Sequence, residues 1–147
     1  MSADDHGFHY LFENTVRFEE TDAQGVVFFG NYLTYLDEAI MAYWREVGYP
    51  YEDIVEADWE VFVVHSDLDY HASAGFADTL RNGVRVSEIG TSSLTFEYRC
   101  ERAEDDVLIA SGSLVQVAAD DDGQPRPIPN GLREAIVAFE DGASDTR

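Results

Sequence analysis

Eight apolar residues share one face of a predicted helix. Tyr32, Tyr35, Leu36, Ala39, Ile40, Tyr43, Trp44 and Val47 fall at i, i+3, i+4, i+7, i+8, i+11, i+12 and i+15. The spacing predicts a helix of about five turns with a wide apolar stripe. Asp37, Glu38, Arg45 and Glu46 stand off that stripe. Gly48 and Pro50 end it, since glycine accepts the left-handed exit and proline cannot continue a helix. Asn31 or Gly30 can cap its start. A face this wide must be buried, so the rest of the chain has to supply a surface that covers it.

That surface reads as a sheet, because the period elsewhere is two. Phe8, Tyr10, Phe12, Val16 and Phe18 occupy even positions and predict a half-buried strand over 8–18. Phe62, Val64, Leu68 and Tyr70 alternate with His65, Asp67 and Asp69. Residues 79–89 form a weaker strand. Leu94, Phe96, Tyr98 and Cys100 alternate with polar residues, and a Glu104-Asp105-Asp106 turn leads into a strand over 107–118. Pro125, Pro127 and Pro129 break the chain before a short C-terminal helix over 131–140, with Leu132, Ile136 and Phe139 as its apolar positions. The expected architecture is α+β: a five-stranded antiparallel sheet, its later strands in meander order, against one long central helix. A single domain spans 1–147, with its core at about 8–139 and acidic termini. One helix covers little of five strands, so the open sheet should favour association with a second copy.

Charge narrows the partners. The chain carries 30 acidic and 9 basic residues for a net charge of -21, and every basic residue is Arg. No basic stripe exists to neutralise nucleic-acid phosphates, and no polybasic segment to meet an anionic membrane. Acids this dense repel one another, and at molar salt a Debye length of ~3 Å screens that repulsion. A halophilic protein is expected. Cys100 is the only cysteine, so no intrachain disulfide forms. Met1 to Gly7 shows no signal-peptide pattern, and a cytoplasmic location is expected.

The densest chemical signal is Arg17 to Tyr32, where a strand ends, Asp22 sits in a turn, Gly25 permits a tight path and a helix begins. A helix N-terminus offers unbonded N–H groups and a positive dipole end, which can polarise a carbonyl and stabilise an oxyanion. An Asp beside it can attack that carbonyl or activate a water. The pattern suits ester-type hydrolysis without Ser, Cys or metal. The plainer alternative is that Asp22 only shapes the turn. Tyr32 either orients substrate or packs in the core. His6, His9, His65 and His71 read as structural or solvated, and no metal-ligand spacing is found. Residues 76–103 balance four acids against four Arg, the stretch where an anionic substrate would meet least repulsion.

The segment Asp22, Gly25, Val26-Val27, Phe28-Phe29, Asn31-Tyr32 resembles the signature of hotdog-fold acyl-CoA thioesterases of the 4-hydroxybenzoyl-CoA thioesterase family. Leu68 to Leu80, Ile89 to Phe96 and Arg126 to Pro129 resemble its later strands and turns. The resemblance implies a hotdog fold in which the sheet wraps the long helix, and an active site at the interface of a homodimer or a homotetramer. It implies acyl-CoA as the substrate, with CoA part of that substrate and no separate cofactor. It implies Asp22 as nucleophile or general base, the backbone N–H near Phe29 as carbonyl polariser, and Gly25 and Val27 along the acyl site. It implies Gly90, Thr91 and Ser93 near the thioester or pantetheine arm, reached from the partner. Two differences stand out. Many relatives carry His where this chain has Val26 and Phe29. Some carry basic residues in the turn matching Gly90-Thr91-Ser92, where this chain has none. The alternatives are a non-catalytic acyl-CoA-binding domain and a thioesterase acting on acyl-carrier protein.

Overall fold

A computed structural model describes residues 7–55 and 57–145, which leaves His6 outside the described residues. In chain order the elements are β1 (His9–Thr15), α1 (Asn31–Glu46), α2 (Tyr51–Val55), β2 (Trp59–Tyr70), β3 (Thr79–Ile89), β4 (Ser93–Arg102), β5 (Leu108–Asp120) and α3 (Asn130–Asp145). All strand pairs are antiparallel, in the order β1-β3-β4-β5-β2.

The stripe on α1 does what its spacing requires. Tyr32, Tyr35, Leu36, Ala39, Ile40, Tyr43 and Trp44 are all buried, and Gly48 leaves the helix at φ +92°. They meet the inward face of β4, where Leu94, Phe96, Tyr98 and Cys100 are at most 2% exposed. Tyr43 packs edge-on against Phe96 with ring centroids 5.4 Å apart, a geometry worth about 0.5–1.5 kcal/mol beyond area burial. Burial pushes the Cys100 thiol up to about 12, so it is an inert core residue.

Four expectations need correction. The helices are not one long and one short: α1 and α3 both have 16 residues, and a short α2 follows α1. The strands are not a meander throughout. Residues 71–78 carry the chain from β2 at one edge to β3, which lies beside β1 near the other. The first strand ends at Thr15, and a 3-10 turn over Phe18–Glu20 leaves Phe18 76% exposed. Finally, three apolar residues in the middle of β2 are not covered, although Trp59, Val61 and Leu68 of the same strand pack on the core. A register shift between Val63 and His65 breaks the alternation, and Phe62, Val63 and Val64 stay about half exposed or more on this edge strand.

The C-terminal helix is tied down by one carboxylate. Glu140 accepts from the Tyr43 hydroxyl (2.6 Å) and the Val86 N–H (3.0 Å), and pairs with His9 Nε2 (3.1 Å). His9 also stacks on Phe139 at 4.2 Å, a structural role. No described helix is long and apolar enough to cross a membrane.

Candidate active site

The turn after β1 is held by backbone hydrogen bonds. The Asp22 N–H donates to Val26 O, and the Gly25 N–H donates to Asp22 O, each at 2.9 Å. Gly25 sits at φ +81°, which the turn demands and a side chain would strain. The Val27 N–H donates to Ala74 O (2.9 Å), so the crossover between β2 and β3 closes over this turn. Asn31 Nδ2 donates to Glu20 O (2.9 Å) and Tyr35 donates to Glu20 Oε1 (2.8 Å), which fixes the start of α1 against the preceding 3-10 turn.

Asp22 plays the turn-forming part that its position suggests: Oδ1 accepts the Gln24 N–H at 2.8 Å. Its other oxygen has no partner among the described residues. Ahead of α1, the N–H groups of Asn31, Tyr32 and Leu33 donate to the carbonyls of Phe28, Phe29 and Gly30. Those of Phe29 and Gly30 donate to no described residue. These two N–H groups at the positive end of a 16-residue helix are suited to polarise a carbonyl oxygen.

The resulting recess of about 180 Å³ is lined by Asp22, Val27, Phe29, Tyr32, Tyr70 and Ser73, among others. Four of the sequence-predicted residues therefore meet here: Asp22, Val27, Phe29 and Tyr32. Gly25 shapes the turn without lining the recess. Tyr32 is 3% exposed, and burial pushes its phenol well above the usual value, so it stays neutral. Tyr70 was missed as a site residue. Its ring lies 5.7 Å from that of Tyr32, and its hydroxyl donates to Phe29 O at 3.3 Å. Its place at the end of an alternating strand was the available signal.

Gly90, Thr91 and Ser93 are not brought to Asp22 within one chain. Gly90 and Thr91 line a separate recess of about 450 Å³ with Ile128, Asn130 and Arg133. Ser93 closes the same β3–β4 turn, its carbonyl accepting the Gly90 N–H at 2.8 Å. Arg133, in the first turn of α3, donates to Gly90 O (2.7 Å) and Thr91 O (3.3 Å). A basic residue thus stands at the turn that lacks one in sequence. The charge-balanced stretch 76–103 is used differently from the expectation. Arg81 and Arg99 bond the buried Glu101, and Arg85 bonds Glu97, on the sheet face away from α1. Those cations are engaged in ion pairs. His65 bonds Asp67 at 3.0 Å and His71 bonds Ser111 at 2.8 Å, both exposed. Among the described residues no group of three or more His, Cys, Asp or Glu is arranged to hold a metal ion.

Residues 16–136 match the thioesterase-like superfamily. An acyl-CoA thioesterase YbgC of Haemophilus influenzae is 33% identical over 84% of this chain and 88% of its own length. A 1,4-dihydroxy-2-naphthoyl-CoA hydrolase of Synechococcus elongatus is 25% identical over 90% of this chain and 98% of its own. The crystal structure of a Synechocystis 1,4-dihydroxy-2-naphthoyl-CoA thioesterase superposes with a TM-score of 0.80 at 23% identity, covering 86% of this chain and 93% of that one, a likeness of fold. The fold is a hotdog fold, and the chain belongs to the thioesterase-like superfamily.

Proposed function

We propose that this chain, a hydrolase acting on thioesters, cleaves an acyl-CoA to a carboxylic acid and free CoA. The observation that carries the reading is that Asp22, one of whose carboxylate oxygens has no partner among the described residues, lines a recess together with Phe29, at the helix start where the N–H groups of Phe29 and Gly30 donate to no described residue. In this reading the thioester carbonyl accepts from those N–H groups, which stabilise the oxyanion formed on attack. Asp22 then either attacks the carbonyl, expelling CoA thiolate and leaving a mixed anhydride for water to open, or takes a proton from the attacking water. Single-turnover hydrolysis in heavy-oxygen water separates these routes, since only the anhydride route can transfer oxygen to or from Asp22. Val27, Tyr32 and Tyr70 bound the acyl side.

In the same reading the active assembly is a homodimer or homotetramer. The exposed Phe62, Val63 and Val64 on β2 form its seam, and the partner brings Gly90, Thr91, Ser93 and Arg133 to the CoA arm. Arg133 would meet phosphate oxygens that an otherwise acidic chain repels. The test is release of free thiol from aromatic, short-chain and long-chain acyl-CoAs in molar KCl, with sedimentation of the same sample. Turnover of at least one class by an oligomer is expected. CoA binding without turnover of any class would support the acyl-CoA-binding alternative, and an active monomer would remove the shared site.

A further inference from the structure

The Tyr70 hydroxyl rests against the backbone at the helix start beside Asp22. Tyr70 ends β2, lines the recess with Asp22 and Phe29, and is 50% exposed. Its hydroxyl donates to Phe29 O at 3.3 Å, which is long for an O–H donor. The Tyr32 N–H donates to the same oxygen at 3.4 Å. Phe29 O therefore keeps a partner when the phenol lets go, and a half-exposed side chain has room to do so.

Donors around the recess are few. From Ala23 to Gly30 the only side chain able to donate is that of Gln24. Tyr32, Tyr70 and Ser73 are the lining residues with a hydroxyl, and Tyr32 is 3% exposed. Tyr70 is the one of these that bonds Phe29, whose own N–H donates to no described residue. The nitrogen and carbonyl oxygen of one residue lie about 3–3.6 Å apart, so the Tyr70 hydroxyl is within about 7 Å of the Phe29 nitrogen. A substrate oxygen lying between them, about 2.9 Å from that nitrogen, is about 4 Å or less from the phenol, and a shift of about 1 Å completes the contact.

Resting on the reading of this recess as the site of thioester cleavage, we propose that Tyr70 is a further catalytic residue. Its hydroxyl leaves Phe29 O and donates to the thioester carbonyl oxygen beside the Phe29 N–H. That hydrogen bond strengthens as negative charge builds on the oxygen. No proton is transferred: the hydroxyl returns to Phe29 O as the carbonyl re-forms and CoA thiolate departs. Tyr70→Phe keeps the ring beside Tyr32 and removes only the donor, so the fold should survive. In thiol-release assays on the acyl-CoA panel, kcat should fall about fivefold or more, with KM nearly unchanged and the same factor for every class hydrolysed. A ring that only packs on the acyl group would instead change KM and affect the classes unequally. A second readout needs no turnover. In a ketone analogue, one methylene separates the carbonyl carbon from the CoA sulfur, so the compound binds without being hydrolysed. Its carbon-13-labelled carbonyl stretch should lie lower in frequency on the wild type than on Tyr70→Phe. A fall in kcat of less than about fivefold, a factor that differs between classes, or the same carbonyl band on both proteins overturns the role of Tyr70 and leaves the reading of the recess standing. A wild type that hydrolyses no class removes that reading, and the role of Tyr70 with it.

Discussion

Removing the Glu140 carboxylate should loosen the whole C-terminal helix. In Glu140→Ala the Tyr43 hydroxyl and the Val86 N–H lose their acceptor, and His9 loses its partner. Each orphaned buried donor costs about 1–3 kcal/mol. The Glu140 side chain is 20% exposed, so water can reach part of the vacated space, and the low end of that range applies to each bond. The sum is about 3 kcal/mol, or roughly 6–12 °C in melting temperature for a chain of this size. The loss should depend on pH. Burial alone would raise the Glu140 carboxyl, but bonds from His9, Tyr43 and Val86 outweigh it and hold the group below the usual carboxylate range. A depressed folded-state value means the stabilisation is full above the unfolded value of about 4.3 and disappears as pH falls through the folded one. Urea unfolding of wild type and variant in molar KCl should therefore show a gap of about 3 kcal/mol at neutral pH that narrows under acid. A neutral-pH gap below about 0.5 kcal/mol, or one that stays constant into acid, would show that the Glu140 carboxylate does not anchor α3.

Arg133→Ala should raise KM for acyl-CoA about tenfold with little change in kcat, because the phosphate contact proposed for Arg133 would serve ground state and transition state alike; steady-state kinetics against chain-matched acyl-CoAs checks it. Gly83→Ala places a Cβ 2.7 Å from the Tyr10 ring, which Glu101 holds by a 2.9 Å hydrogen bond. It should cost about 1–3 kcal/mol in chemical denaturation, and Tyr10→Ala in the same chain should recover part of that. With a net charge of -21, the melting temperature should rise steeply between dilute buffer and molar KCl, and a flat salt response would contradict the reading of the acidity.

How far the sequence could be read follows from the range of the forces involved. The buried faces of α1 and β4 were legible because a single local period places every residue on one side or the other. The Asp22 turn was legible because Gly25 and the helix start lie within a few residues of it. The position of β2 beside β5 was not, since alternation marks an apolar face without saying which strand pairs with it. The uncovered Phe62 and Val64 belong to the same gap. The five residues of α2 are too few for a period to declare itself. Arg133 lies 43 positions from Gly90 in sequence, and only the docking of α3 on the β3–β4 turn brings its guanidinium to that carbonyl.

In the proposed hydrolysis Asp22 does chemistry as well as holding its turn. Asp22→Asn keeps an oxygen able to accept the Gln24 N–H, so the fold should survive with a melting temperature near that of wild type. The decisive measurement is thiol release by this variant from the best acyl-CoA substrate in molar KCl, beside the wild type. A fall in kcat of about a hundred- to ten-thousandfold with substrate binding retained is expected. A well-folded variant that turns over near the wild-type rate would leave Asp22 as a turn former and nothing more.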